Sequence, residues 1–200
     1  RLGQADVGEH PEVTLLEERY GHEPDRVRFI VLGTETPRSA LHLEEIPRAS
    51  RVSALSWGAE DLGSAIGAQR NRDERGMLLD VFRFCRVQTI LAAAAADVQA
   101  LDTVFVDFRN LDGLRRDSQE AKWMGFGGRL TIHPDQIPVV NEIFTPSADE
   151  IAAARELLDA VEAGRAEGRG AITVRGQMVD AAHIGRAETL LARARQAGVL

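Results

Sequence analysis

Two apolar segments that each lead to a glycine and a carboxylate constrain the fold of this chain more than any other feature. Residues 27–33 predict a strand that delivers Glu35, and residues 51–57 predict a strand that delivers Asp61. The carboxylates are 61 − 35 = 26 residues apart, which suits one strand–helix–strand repeat. Side chains at the carboxyl ends of neighbouring parallel strands share one rim, where α/β proteins carry their chemistry. We therefore predict that Glu35 and Asp61 face the same rim.

Two carboxylates at one rim predict a site for a divalent cation. Mg²⁺ takes one or two protein carboxylates and keeps positions for water and substrate oxygens. Taken singly, Glu35 and Asp61 would more often be a helix cap and a turn residue. Their pairing favours metal binding. The adjacent Gly58, Ala59 and Glu60 are candidate substrate contacts, because they lie at the same rim.

Two further strands, predicted at 101–107 and 129–133, continue the pattern. Every connection between the four strands is helical, so the sheet should be parallel. Four parallel strands cannot close a barrel, which needs eight, and they form either a small open sheet or half of a barrel. The remaining predictions are a hairpin over residues 172–179 and helices at 12–20, 38–48, 77–97, 111–124, from 134 onward, 148–163 and 182–197.

Three other polar residues lie at predicted element ends. Asp107 would end the third strand and is a candidate ligand neighbour. His133, followed by Pro134, would end the fourth; both are candidate substrate contacts, although a histidine in that place is more often structural. Asp180 suits the N-cap of the last helix.

Composition excludes some functions. The formal net charge of −7 argues against a general nucleic-acid surface, and no run is apolar and long enough to span a bilayer. Nothing resembles a signal peptide, and the sequence starts with Arg1 instead of Met, which leaves the true start open. The lone Cys85 predicts a buried apolar group, no internal disulfide and a cytoplasmic protein.

The order and spacing of several motifs resemble the citrate lyase beta-subunit-like branch of the HpcH/HpaI aldolase superfamily. The resemblance covers residues 27–197. The motifs that carry it are Gly33–Arg38, Trp57–Leu62, Leu91–Ala96, Asp102–Asp107, Met124–Ile137, Val139–Asn141, Phe144–Pro146 and Gly176–Asp180.

The resemblance implies a (β/α)8 TIM barrel. Residues 1–147 would supply strands five to eight, and residues 148–200 would form a C-terminal extension with helices and a short hairpin. The family's first half, which carries a substrate-binding arginine, has no counterpart upstream of residue 27. We therefore predict that this half is missing from the sequence.

The resemblance also implies a function. Mg²⁺ would be held by Glu35 and Asp61, and the substrate would be a thioester on coenzyme A or an acyl carrier. Asp180 would enter the neighbouring subunit's site as a catalytic residue, in a homotrimer or a multiple of one. The reaction would cleave a citryl-CoA or malyl-CoA type 2-hydroxy acyl thioester into an acyl-CoA and a 2-oxo acid. The alternatives are an aldolase on free 2-oxo acids, a thioesterase, and a catalytically defective subunit or scaffold.

Overall fold

The computed structural model describes residues 10–167 and 172–200. Residues 1–9 and 168–171 lie outside these ranges. The helices α1 to α8 span Pro11–Arg19, Pro37–Leu41, Glu60–Ile66, Asp80–Ala95, Leu111–Met124, Gln136–Phe144, Ala148–Ala166 and Ala181–Gln196. The strands β1 to β6 span Phe29–Leu32, Val52–Ser56, Gln99–Asp102, Gly128–Arg129, Ile172–Val174 and Gln177–Val179.

A parallel sheet organises the first part of the chain, as predicted. Within the described ranges its strand order is β1-β2-β3-β4, and each neighbouring pair is parallel. Leu32 pairs with Ser56, and Leu55 pairs with Ala100. Because the order follows the sequence, β1 and β2 end side by side, and so do β2 and β3.

The sheet and its helices enclose a core of fully buried large side chains. Leu55, Trp57, Phe82 and Phe126 are inaccessible to solvent, and Leu114 is nearly so. Burying a side chain of this size contributes about 1.5–3 kcal/mol relative to leaving it exposed. Ala92 and Ala93 of α4 are also buried.

The third strand was predicted in the wrong place. It ends at Asp102 instead of residue 107, so Asp107 lies in the following loop. The cause is local: the buried carboxylate of Asp102 accepts a 3.0 Å hydrogen bond from the amide of Thr103. Such a side-chain bond competes with the sheet ladder.

The fourth strand is shorter than predicted and stops at Arg129. The amide of Leu130 still bonds to the carbonyl of Asp102, but the amide of Ile132 donates to Oε1 of Gln136 instead of to a strand. His133 is therefore in the turn before α6 and not at a strand end.

The helix predicted over 38–48 is two elements. α2 ends at Leu41, and a 3-10 helix follows over Leu43–Arg48 with Pro47 inside it. Proline has no amide to donate, which disfavours a continuous α-helix here.

The predicted helix over 111–124, the helix that begins at 148 and the hairpin over 172–179 are confirmed. α5 covers 111–124 and ends at Gly125, which has a left-handed φ of 111°. Ser147 caps α7 by accepting from the amide of Glu150. The hairpin over 172–179 turns at Arg175 and Gly176, and both have positive φ.

The chain divides into two compact units, with the boundary between Val140 and Asn141 in α6. In the second unit α7 packs against α8, and the salt bridge between Arg175 and Glu156 ties the hairpin to α7. The buried contacts between α7 and α8 come from Ile151, Ala154, Ala187, Leu191 and Ala194. Across residues 10–167 and 172–200, we find no helix with both the length and the apolar character needed to cross a membrane.

Candidate active site

The carboxyl ends of β1 and β2 are joined by side-chain as well as backbone contacts. The ladder ends where the amide of Gly33 donates to the carbonyl of Ser56, at 2.9 Å. One residue further on, Oγ1 of Thr34 accepts from the amide of Gly58 at 2.9 Å and donates to its carbonyl at 3.0 Å. Thr34 is fully buried. The two rim segments are therefore held together beyond the end of the sheet.

The structure places Glu35 and Asp61 on these two segments. Glu35 follows Thr34, and Asp61 is in the first turn of α3, three residues after Gly58; both carboxylates are exposed. A Cβ built on Gly58 would lie 3.7 Å from Cγ of Glu35, so the stem of Glu35 lies against Gly58. The rim thus offers carboxylate oxygens, the ligand type that hard cations take.

The candidate substrate residues beside Asp61 adjoin a cavity of about 290 Å³. Ala59 and Glu60 line it on one side, and Asp107 lines it within the loop after β3. Glu60 accepts a 2.6 Å hydrogen bond from Nδ2 of Asn71, which draws the loop of residues 69–76 to the rim. Two residues of this charged loop, Asn71 and Arg72, are part of the cavity wall.

His133 has local contacts. Its ring stacks on Phe108 with centroids 4.6 Å apart, and its Nδ1 accepts from the amide of Asp135 at 3.2 Å. Pro134 belongs to the turn that precedes α6, where the amide of Ile137 donates to its carbonyl. The structural interpretation of His133 accounts for these contacts, and they set its position independently of Glu35 and Asp61.

Asp180 is the N-cap of α8. Oδ1 accepts from the amide of His183 at 3.0 Å and lies 2.6 Å from Nδ1 of the same residue. These bonds to the backbone and the imidazole hold the pKa of Asp180 below its ordinary value. An ionised carboxylate at this place can accept a proton.

A buried ionic network beneath the rim was not foreseen. Asp102 is inaccessible to solvent, and its carboxylate accepts from Nε1 of Trp57 at 2.7 Å, from Nη2 of Arg86 at 2.8 Å and from Arg129. Arg129 also donates to Asp117. The one sequence signal for Asp102 was a charged residue within an apolar strand pattern. No sequence pattern pointed to Thr34, because its hydrogen bonds are to Gly58 on the neighbouring rim segment.

In this network, burial and neighbouring charges shift the pKa values in opposite directions. Burial alone would raise the pKa of Asp117, but the guanidinium groups of Arg129 and Arg72 hold it below its ordinary value. Burial would lower the pKa of Arg86, but Asp102 and Asp117 raise it above its usual range. Asp117 and Arg86 are therefore both ionised at neutral pH.

Comparison with known proteins identifies the family. The family model for HpcH/HpaI aldolase/citrate lyase matches residues 12–134, which is more than half of the chain. The chain belongs to this family. Within it, the citrate lyase subunit beta-like protein of Mycobacterium tuberculosis is 39% identical over 170 residues, which are 85% of this chain and 61% of that protein. The mitochondrial citramalyl-CoA lyase of Mus musculus is 40% identical over 140 residues, which are 70% of this chain and 40% of that protein.

A solved structure in the same family has a similar fold. The protein CitE from Mycobacterium tuberculosis, in complex with magnesium, acetoacetate and coenzyme A, superimposes with a TM-score of 0.70 at 39% identity. The match covers 84% of this chain and 61% of that chain. The present chain therefore spans about three fifths of the length of the two mycobacterial proteins and about two fifths of the mouse lyase.

Proposed function

We propose that this chain is part of a Mg²⁺-dependent carbon–carbon lyase. Its substrate would be a 2-hydroxy acyl thioester of the citryl-CoA or malyl-CoA type, and its products an acyl-CoA and a 2-oxo acid. The observation that carries the proposal is the pair Glu35 and Asp61 on adjacent rim segments that Thr34 binds together. The ligands of the related CitE structure, magnesium, acetoacetate and coenzyme A, support the same chemistry.

We further propose that β1 to β4 are strands five to eight of a TIM barrel. Their consecutive parallel order is that of a barrel segment. Ile30 and Leu32 on β1 are exposed apolar side chains on one face, as expected for a barrel interior that further strands would cover. In this assignment residues 1–147 are the barrel part and residues 148–200 are the extension.

The rim residues suit Mg²⁺. Glu35 and Asp61 supply oxygen donors, which Mg²⁺ prefers to nitrogen or sulfur, and both are accessible to solvent. When bound, Mg²⁺ would polarise the oxygens of the substrate's acid portion as a Lewis acid. Gly58, Ala59 and Glu60 would contact the substrate at the mouth of the adjoining cavity, with His133 and Pro134 as additional candidate contacts.

Cleavage requires the substrate hydroxyl to lose a proton. Its oxygen then forms the carbonyl of the 2-oxo acid, and the electrons of the broken carbon–carbon bond pass to the thioester as an enolate, which takes up a proton at carbon. We assign the proton transfer to Asp180. Asp180 is ionised at neutral pH and can accept the hydroxyl proton, and its lowered pKa makes it a weaker base than an ordinary aspartate.

The proposed assembly is a homotrimer or a multiple of one, in which Asp180 serves the site of a neighbouring subunit. We also propose a cytoplasmic location, in keeping with a single cysteine, Cys85, which is buried. Neither nucleic acid nor a membrane is a proposed partner.

Titration of the purified protein with Mg²⁺ tests the metal pair. We expect Glu35→Ala and Asp61→Ala each to abolish the calorimetric signal of the wild-type protein. The matched control is Glu45→Ala, because Glu45 belongs to another exposed group, with His42 and Glu44, whose ligand atoms lie within 4.8 Å of one another. Unchanged Mg²⁺ affinity in the Glu35 and Asp61 variants would refute the pair.

The reaction itself is tested with citryl-CoA and malyl-CoA. Release of a 2-oxo acid together with an acyl-CoA supports the lyase. Release of free coenzyme A thiol without a 2-oxo acid would instead indicate a thioesterase, and absence of both products would indicate a subunit without activity of its own.

A further inference from the structure

One buried hydroxyl replaces the sheet ladder at the place where β1 and β2 separate. Thr34 Oγ1 bonds to both the amide and the carbonyl of Gly58, at 2.9 and 3.0 Å. In a continuous parallel sheet, backbone groups of β1 would bond to the amide and carbonyl of Gly58. This would require both strands to extend past Gly58. The Thr34 hydroxyl bonds to these two groups after the strands have ended. The residues that follow are therefore not required to continue the sheet and can turn outward.

The residues that turn outward are the two carboxylates. Glu35 is bonded covalently to Thr34, and Gly58 leads through Ala59 and Glu60 to Asp61. The separation between the carboxylates is therefore set by a short path: Glu35, Thr34, two hydrogen bonds, Gly58 and the first turn of α3. No side chain on Gly58 could be added without contact with Glu35, since a Cβ there would be 3.7 Å from its Cγ.

The same segment is held from its other side by β3. Trp57, which precedes Gly58, donates a 2.7 Å hydrogen bond from Nε1 to Asp102 at the end of β3. Both side chains are fully buried. Because Asp102 holds Trp57 and Thr34 holds Gly58, we expect the segment that carries Asp61 to keep its place relative to Glu35.

We propose that Thr34 is a positioning residue that holds Glu35 and Asp61 at the spacing required to share one Mg²⁺ ion. The inference rests on the proposed function, because it takes the two carboxylates as the metal ligands. Thr34 does not touch the ion. It acts through the backbone of Gly58, as outer partners of metal ligands do, whose loss commonly weakens metal affinity about 10- to 100-fold.

The test compares two buried threonines. Thr34→Val removes the hydroxyl and keeps the shape of the side chain. Thr89→Val does the same at a residue that is equally buried but bonds to the carbonyl of Cys85 within α4, away from the rim. Thr34→Ser keeps a hydroxyl and is the rescue variant. Mg²⁺ affinity is measured by calorimetry and the free energy of unfolding by urea denaturation, for each variant.

We expect Thr34→Val to weaken Mg²⁺ binding about tenfold or more, while Thr34→Ser and Thr89→Val stay within about twofold of the wild type. If Thr34→Val does not fold, Thr34→Ala, with Thr89→Ala as its control, makes the same comparison without a second methyl group. Wild-type affinity in the hydroxyl-free variant would overturn the positioning role, and so would equal weakening in Thr34→Ser or in the Thr89 control.

The outcomes also separate this inference from the proposed function. If Mg²⁺ binding depends on Glu35 but not on the Thr34 hydroxyl, the metal pair stands and only the positioning role fails. If the wild-type protein binds Mg²⁺ independently of Glu35 and Asp61, the proposed metal site fails and the role of Thr34 fails with it.

Discussion

The indole Nε1 of Trp57 donates a 2.7 Å hydrogen bond to Oδ1 of Asp102, and neither side chain is accessible to solvent. Through this bond the carboxylate that anchors the ionic network also holds the residue before the rim segment. The rim and the charged interior of the first unit are therefore coupled at one side chain.

Asp102→Asn should strongly destabilise the protein. The substitution keeps an oxygen for Trp57 but removes the negative charge that Arg86 and Arg129 face, and breaking a buried ion pair in this way costs about 3–5 kcal/mol. Urea denaturation measures the loss. Asp97→Asn, at an exposed residue with φ of 54°, should change stability by less than about 0.5 kcal/mol. Equal effects of the two substitutions would contradict a special role for Asp102.

Glu17 should make the free energy of unfolding depend on pH in the acid range. Its carboxylate pairs with Arg51 at 2.9 Å and accepts from the amide of Val27 at 2.7 Å. The bonds to Arg51, then to Val27, lower its pKa from 4.5 to about 2. A lowered folded-state pKa stabilises the protein above the unfolded value, and this contribution is lost as the pH falls through the folded value.

The stability difference between the wild type and Glu17→Gln should accordingly be full above pH 5 and shrink as the pH falls from 4.5 toward 2. Urea unfolding at several pH values measures it. Glu18→Gln, at an exposed residue of the same helix, is the control and should show no such trend. A difference that grows toward acid would contradict the assigned direction.

Two glycines should respond to alanine in opposite ways. A Cβ on Gly33 would overlap Cδ1 of Leu43 and come within 3.1 Å of Cδ1 of Leu55, so Gly33→Ala should cost about 1–3 kcal/mol through overpacking. A Cβ on Gly185, within α8, would meet nothing within 4 Å. Gly185→Ala should therefore stabilise the protein by about 0.5–1 kcal/mol. Thermal unfolding of both variants checks the contrast.

Asp180 has a capping role that can be separated from its proposed catalytic role. Asparagine caps helices as well as aspartate, so Asp180→Asn should preserve stability and abolish turnover. Asp180→Ala should lose turnover and also about 1 kcal/mol of stability. Both variants should bind Mg²⁺ like the wild type. The control is Ser147→Ala, which removes the N-cap of α7 and should lose similar stability with turnover retained. Full activity in Asp180→Asn would exclude the proton-transfer role.

Much of the fold was predictable because the signals are local. Strand runs separated by helices imply a parallel sheet, and Gly125, Ser147 and Asp180 end or begin helices through their own backbone or side-chain chemistry. The rim position of the two carboxylates follows from the same alternation.

The errors arise from side-chain hydrogen bonds, some local and some between distant segments. The end of β3 is set by a buried aspartate that bonds to its own chain and to arginines distant in sequence, and the end of β4 by a glutamine in the next helix. The bond from Thr34 to Gly58 joins residues 24 apart. The bonds of Asp102 to arginines and of Thr34 to Gly58 depend on which segments the fold brings together, so a local pattern does not predict them. The bonds of Asp102 to Thr103 and of Gln136 to Ile132 are local, but the sequence pattern does not distinguish them from continued strand pairing.

Arg72 lines the cavity beside the rim and also donates two hydrogen bonds to Asp117, the carboxylate that neutralises Arg129. A substitution at Arg72 that reshapes the cavity therefore unbalances the charges inside the protein. Val104 and Val106 line the same cavity and carry no charge. Substitutions that reshape this cavity should therefore cost the least stability at Val104 and Val106.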